Sequence, residues 1–318
     1  MTARSLIDPE LLPVLDIFPP FDLEGEGLAQ VRAGTSAMLE SRPRPDVPVT
    51  VTEITTRENA RAPAVRCLLF VPERLVAPVP AILHIHGGGY VAGTPEMSAP
   101  DLMGLSAALS CIILSVDYRL APEHPFPAAV EDCHAALGWL HQEAQRLGVD
   151  TARVAVMGES AGGGLSAALA LLARDRGEYP LAFQLLDCPM LDDRTCRRDV
   201  SPALGEFIWT RGKNEFGWTS LLGRAPGGED VSPYAAPARS DDLAGLPPAF
   251  IAVGALDLFL DEDVDYARRL AGAGVPVELH VYPGCFHGFA MAAESRMAKA
   301  AARDRIDALA RAFTPRKA

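Results

Sequence analysis

From residue 79 onward the chain alternates short apolar runs with longer stretches of helix-forming residues. Apolar runs at 81–86, 112–117, 153–157, 183–188, 249–253 and 277–282 have the length and the Val/Ile/Leu content of buried strands. Between or after them, 98–109, 128–146, 161–175, 262–273 and 291–313 carry apolar positions at helical spacing. Strand–helix alternation predicts an α/β protein with a mostly parallel sheet covered by helices on both faces. Upstream, 49–55 alternates and 65–71 runs apolar, which predicts a hairpin at one sheet edge. The first 45 residues are irregular, with breakers at Pro19, Pro20, Pro43 and Pro45 and helical patches near 9–18 and 28–41. One long stretch, 189–246, interrupts the alternation. A structureless loop of that length is uncommon, so it is predicted to form helices of its own.

Composition narrows the picture. With 318 residues, 49% of them hydrophobic, the chain can bury a large core. The expectation is one domain over 1–318, with 1–45 and 189–246 forming a cap over the carboxyl ends of the strands. A net charge of −12 argues against nucleic acid or an anionic membrane as a partner. The six cysteines show neither C-x-x-C nor zinc spacing; Cys67, Cys111 and Cys188 lie in apolar runs and read as small buried residues. A reducing compartment, the cytoplasm, fits that usage. Residues 1–16 show no basic-then-apolar leader pattern, and no run of about 18 uninterrupted apolar residues occurs.

The candidate chemistry starts at Gly158-Glu159-Ser160-Ala161-Gly162-Gly163, placed between a predicted strand and a predicted helix. A serine on so sharp a turn is held out at the carboxyl edge of the sheet, at a helix N-terminus that favours negative charge. A G-x-S-x-G pattern arises by chance in roughly one chain of this length in ten, so context decides. A nucleophile needs an oxyanion hole, an acid and a base. The glycine loop His86-Gly87-Gly88-Gly89-Tyr90 follows a strand and can aim backbone N–H groups at a developing oxyanion. It lacks the G-K-[ST] ending of a phosphate-binding loop. His84 and His86 make a weak metal signal, with no carboxylate or third histidine nearby in the sequence. Asp257 directly follows the 249–253 strand and is the candidate acid; Asp261 reads instead as the N-cap of a helix beginning at Glu262, with Glu262 and Asp263 favouring its dipole. His287, in a loop after the last strand, completes the order Ser…Asp…His that this architecture demands. Tyr90, Trp209, Trp218, Phe286 and Phe289 are candidate pocket walls or ordinary core.

Taken together, His86-Gly87-Gly88-Gly89, Asp117-Tyr118-Arg119-Leu120-Ala121-Pro122-Glu123, Gly158–Gly163, Leu246-Pro247-Pro248-Ala249, Asp257 with Asp261-Glu262, and His287-Gly288-Phe289 resemble the hormone-sensitive-lipase-like group of α/β-hydrolases, which includes many bacterial carboxylesterases. The resemblance runs from about residue 80 to 290. It implies Ser160 as nucleophile, His287 as base, Asp257 as orienting acid, and the N–H groups of Gly88, Gly89 and Ala161 as oxyanion donors. It also implies a cap, no metal or organic cofactor, and a homodimer through an exposed sheet edge near the last strand. Two positions depart from the group's pattern. Glu159 stands where many members have Asp and others Thr, and is expected to alter a supporting hydrogen-bond network; Leu258-Phe259 follows the acid in place of Pro-Leu. The leading expectation is a serine carboxylesterase for short- to medium-chain esters. An amidase, lactonase or deacetylase on the same three residues is the alternative, and a small-molecule-binding protein on a hydrolase scaffold the remote one.

Overall fold

A computed structural model describes residues 2–17, 21–41 and 45–314. Eight strands form one sheet: β1 (Val49–Thr55), β2 (Arg66–Pro72), β3 (Val79–Ile85), β4 (Ile112–Val116), β5 (Val149–Glu159), β6 (Phe183–Asp187), β7 (Ala249–Gly254) and β8 (Val277–Tyr282). Their order across the sheet is β1-β2-β4-β3-β5-β6-β7-β8. The pair β1–β2 is the predicted edge hairpin, and β2 joins β4 antiparallel. The remaining neighbours are parallel, which requires a crossover between each pair.

Nine α-helices are described: α1 (Leu12–Ile17), α2 (Gly27–Ser41), α3 (Ala99–Leu109), α4 (Ala128–Gln142), α5 (Ala144–Leu147), α6 (Ala161–Arg176), α7 (Arg211–Leu222), α8 (Leu260–Gly272) and α9 (Arg296–Phe313). Alternation along the strands separates two cores. Val154 and Val156 of β5 face the side packed by α4 and α6, through Leu137, Leu140, Leu165 and Leu169. Ala155 and Met157 face the other side, where Leu102 and Leu105 of α3 and Leu309 and Phe313 of α9 close the layer. Ile7, Leu11 and Val14 from the start of the chain join that second core.

The structure moves several predicted boundaries. The helix expected over 128–146 is two helices, because Glu143 leaves helical geometry at φ −89°, ψ 2°. The last helix begins at Arg296, not 291; the Ser295 hydroxyl accepts from the Ala298 N–H at 3.1 Å and caps it there. The strand expected at 153–157 extends from Val149 to Glu159, with a register shift against β3. Of the N-terminal patches, the first is a 3-10 turn (Pro9–Leu11) running into α1, and its end at residue 18 lies outside the described residues. The 189–246 stretch does form helices: α7 and two 3-10 turns, Asp193–Cys196 and Pro237–Arg239.

Candidate active site

Ser160 sits between β5 and α6 at φ 55°, ψ −120°, a conformation that costs a non-glycine residue on the order of 1–3 kcal/mol. Surrounding bonds hold it there. Its N–H donates to the Asp187 carbonyl at 2.8 Å, and its own carbonyl accepts from Met190 and Gly164 at 2.9 and 3.0 Å. The turn is so tight that a Cβ at Gly162 would lie 2.0 Å from the Ile85 carbonyl oxygen, and one at Gly158 2.3 Å from that of Gly162. Both glycines are therefore steric requirements of the turn.

Three predicted residues meet here. His287 Nε2 lies 2.9 Å from Ser160 Oγ, and His287 Nδ1 lies 2.8 Å from Asp257 Oδ2. All three are buried. The other Asp257 oxygen accepts from the Phe259 N–H at 3.0 Å, so both carboxylate oxygens have partners. Phe259, singled out in the sequence only as a departure after the acid, packs at right angles to the His287 ring, 5.3 Å between centres. An imidazole held between a serine hydroxyl and a buried carboxylate can take the hydroxyl proton, with its charged form stabilised by the acid.

Facing the serine is the glycine loop after β3. Gly88 has φ 119°, and its carbonyl accepts from both Val91 and Ala92, at 3.1 and 3.0 Å. Among the described residues, the N–H groups of Gly88, Gly89 and Ala161 have no protein acceptor. Ala161 is the first residue of α6, so its N–H lacks an intrahelical partner by construction and carries the positive end of the helix dipole. From the N-terminal region, Arg32 of α2 reaches the same loop, donating to the Val91 carbonyl at 2.8 Å and pairing with Glu123.

Glu159 supports this loop from behind. Its carboxylate accepts from the Gly87 N–H at 3.2 Å and the Ser98 hydroxyl at 3.0 Å, and lies 3.0 Å from His84 Nε2. Burial pushes the Glu159 carboxyl up, but the charge and hydrogen bond of His84 and the Gly87 N–H outweigh it and hold the group down at about 2. The expectation that His84 has no carboxylate nearby is thus corrected: β3 and β5 are adjacent strands, and folding supplies Glu159. His86 donates from Nδ1 to the Gly87 carbonyl at 2.8 Å and stacks on Tyr118 at 4.2 Å. Burial keeps its pKa below the usual imidazole range.

The helix after the acid also differs from expectation. α8 begins at Leu260, Asp261 is exposed in its first turn, and no side chain caps it. Glu262 is not a surface dipole residue. It is buried, accepting from the N–H groups of Leu191 and Asp192 at 2.7 and 3.1 Å and from the Thr195 hydroxyl, and so ties the start of the 189–246 stretch to α8. Only the folded topology brings those donors to residue 262.

Burial pushes the Glu262 carboxyl up to about 8 from an ordinary 4.5, against its hydrogen bonds. A group with a raised folded pKa contributes fully below its unfolded pKa, and that contribution is lost as pH climbs through the folded pKa. Glu262→Gln keeps the uncharged shape, so its melting temperature relative to wild type should rise between about pH 5 and pH 8. The same pH dependence in both proteins would rule out this origin.

Of the five aromatic candidates, Trp209 lies against the site, its ring centre 6.3 Å from that of His287. Tyr90 and Trp218 pack on each other at 5.4 Å, with the Tyr90 hydroxyl donating to the Met190 carbonyl at 2.8 Å. Phe286 packs on Phe207 and Phe289 on Tyr282, both in the second core. Cys67 and Cys111 are buried as expected, but Cys188 stays partly exposed. Among the described residues, Cys188, Asp257 and His287 are the one trio with ligand atoms within 4.8 Å of one another. Both nitrogens of that histidine already have partners in Ser160 and Asp257. A separate cleft of about 380 Å³ lies between the 56–61 loop, α4 and Tyr179, and shares no residue with the serine site.

The profile of the family described as alpha/beta hydrolase fold matches residues 82–291, which spans the glycine loop, the serine turn, the acid and the histidine. The chain belongs to this family. Within it, the chain is similar to the esterase LipI of Mycobacterium tuberculosis, 36% identical over 291 residues that cover 90% of this chain and 88% of LipI. It is also similar to the carboxylesterase NlhH of the same species, 36% identical over 300 residues covering 90% of each chain. Among solved structures, a bacterial heroin esterase superposes with a TM-score of 0.92 at 40% identity, covering 99% of this chain and all of that one. The hormone-sensitive-lipase-like resemblance and the α/β-hydrolase fold therefore both hold. Among the described residues of this family member, no helix is long and apolar enough to cross a membrane.

Proposed function

We propose that the chain is a serine carboxylesterase acting on small carboxylic esters of short to medium acyl length. The supporting observation is the relay Ser160–His287–Asp257, at 2.9 and 2.8 Å, facing three backbone N–H groups without protein acceptors. In this reading Ser160 attacks the ester carbonyl while His287 Nε2 takes its proton. The carbonyl oxygen gains negative charge and is held by the N–H groups of Gly88, Gly89 and Ala161. His287 passes the proton to the leaving alcohol, and an acyl-enzyme remains on Ser160. Water, deprotonated by the same histidine, then releases the acid. Asp257 fixes the imidazole's orientation and stabilises its charged form.

The segments 1–45 and 189–246 act as a cap in this reading, supported by the Arg32 contact to the glycine loop and by Trp209 beside His287. Six free thiols accord with a cytoplasmic enzyme. A homodimer through β8 is supported by its edge position and by the exposed Leu279 and Val281; sedimentation at rising concentration tests it.

The deciding experiment is initial hydrolysis of p-nitrophenyl esters from acetate to palmitate. Rates should peak among the short and medium chains. Background rates at every length, alongside turnover of a matched amide, would replace the esterase reading with an amidase.

A further inference from the structure

We propose that Cys188, Asp257 and His287 form an inhibitory site for a zinc-type divalent cation, which switches the enzyme off by capturing its base. The inference rests on the esterase reading and goes beyond it by giving the same histidine a second set of partners.

The three residues come from separate parts of the chain. Cys188 follows β6, Asp257 follows β7, and His287 lies in the loop after β8. Those strands are consecutive neighbours and parallel, so their carboxyl ends bring a thiol, a carboxylate and an imidazole to one point. One ligand atom from each lies within 4.8 Å of the other two. Zinc bonds to nitrogen, oxygen and sulfur are about 2.0–2.3 Å long, which sets tetrahedral ligands roughly 3.3–3.6 Å apart. Side-chain shifts on the order of 1 Å therefore close the site around an ion. The donor set decides which ion. Thiolate and imidazole suit zinc and softer relatives such as cadmium, whereas magnesium and calcium take oxygen ligands.

Two independent observations support this reading. Asp263 is fully buried, and among the described residues neither of its carboxyl oxygens has a hydrogen-bond partner. It acts through space on the Cys188 thiol, as Asp257 does. A buried acid without a partner is costly, and a cation among Cys188, Asp257 and His287 would compensate it. The backbone supplies the second observation. Cys188 has φ 39°, a region that side chains rarely occupy, and its N–H donates to the Ala252 carbonyl at 2.6 Å. Strain of this kind, held by surrounding bonds, concentrates at functional sites. Cys188 is also the partly exposed member of the trio, so the ion can approach from its side.

In the active form the hydrogen bond between His287 and Asp257 occupies this position. His287 Nδ1–H donates to Asp257 Oδ2 at 2.8 Å, and Nε2 accepts from the Ser160 hydroxyl at 2.9 Å. The cation competes with that arrangement. It bonds to Nδ1, whose proton passes through solvent to Nε2, and to the Cys188 sulfur, whose proton leaves to solvent. One proton is released for each ion bound. His287 then presents an N–H to Ser160 in place of a lone pair and cannot take the hydroxyl proton. Asp257, bound to the ion, no longer steadies the imidazole.

The first test follows p-nitrophenyl acetate hydrolysis against zinc chloride, each protein being compared with its own metal-free rate. Wild type should be inhibited, recover on adding a chelator, and be indifferent to magnesium. Cys188→Ala should need at least about tenfold more zinc for the same inhibition, and Cys196→Ala, which removes the other partly exposed thiol, should behave as wild type. The second test needs no turnover. Ser160→Ala keeps all three ligands, so one equivalent of cadmium should give thiolate-to-metal ultraviolet absorption that is absent from the Ser160→Ala, Cys188→Ala double variant. This arm decides the site even if Cys188→Ala alone is inactive. Wild type indifferent to zinc, or zinc inhibition equal in wild type and Cys188→Ala, overturns the proposal, as does cadmium absorption unchanged in the double variant. Wild type inert towards every ester overturns the esterase reading instead, while cadmium absorption that depends on Cys188 would still establish the metal site.

Discussion

Ser160→Ala should lower kcat on any ester substrate by roughly 10⁴- to 10⁶-fold while leaving the fold intact. The side chain lost is one hydroxyl, which hydrogen-bonds His287 Nε2 at 2.9 Å. The bonds that shape the turn belong to the backbone of residue 160 and survive the change. The residual rate would come from the backbone N–H groups and from substrate positioning. Covalent labelling by a fluorophosphonate should disappear in the same variant. Turnover above about a hundredth of wild type, with labelling retained, would mean that another group is the nucleophile.

The largest stability effect is expected at Gly162. Gly162→Ala would force a methyl group to within 2.0 Å of the Ile85 carbonyl oxygen and 2.5 Å of that of His86. Those are backbone atoms at the end of β3, which is flanked by β4 and β5 and buried along its whole length, so neither side can give way. The cost should exceed about 3 kcal/mol, at the upper end of overpacking effects, and appear as loss of soluble protein or a collapse of the melting temperature. Gly104→Ala is the internal control. Gly104 lies within α3 with no heavy atom within 4 Å of the added carbon, so the same substitution should stabilise by about 0.5–1 kcal/mol. Thermal melts of the two variants should move in opposite directions. Equal melting of Gly162→Ala and wild type would show that the turn is looser than its packing indicates.

Much of this was legible in the sequence because it depends on local order. Strand period, helix formers and the glycine-flanked serine are read within short windows, and the order Ser, Asp, His is a property of the chain itself. Side-chain roles set by neighbouring elements were not legible. Glu262 resembled a helix-start residue because nothing near it in sequence shows that Leu191, Asp192 and Thr195 will deliver their donors to it. His84 and Glu159 are 75 residues apart and meet because β3 and β5 lie side by side. Trp209 and Trp218, two aromatics from one stretch, look alike as letters. Both are buried in one core, but folding sets the first beside His287, with Asn214 accepting from its indole N–H, and the second against Tyr90. The end of the helix at Gln142 was missed for a smaller reason, since Glu143 carries no breaker signal of its own.

The loop that carries His287 is strapped by the beginning of the chain. The Asp8 N–H donates to the Gly284 carbonyl at 3.0 Å, Arg296 pairs with Asp8 and donates its N–H to Glu10, and Leu11 is buried in the same core as Phe286 and Phe289. Asp8 and Arg296 are 288 residues apart, so synthesis makes the strap long before the loop it holds. The serine turn draws on strands nearer to it in sequence, but the His287 loop has no strap until those two distant segments meet. In the proposed reading, hydrolytic competence therefore waits on a long-range contact: a nascent chain that has made Ser160 but not yet His287 displays the nucleophile without the means to activate it.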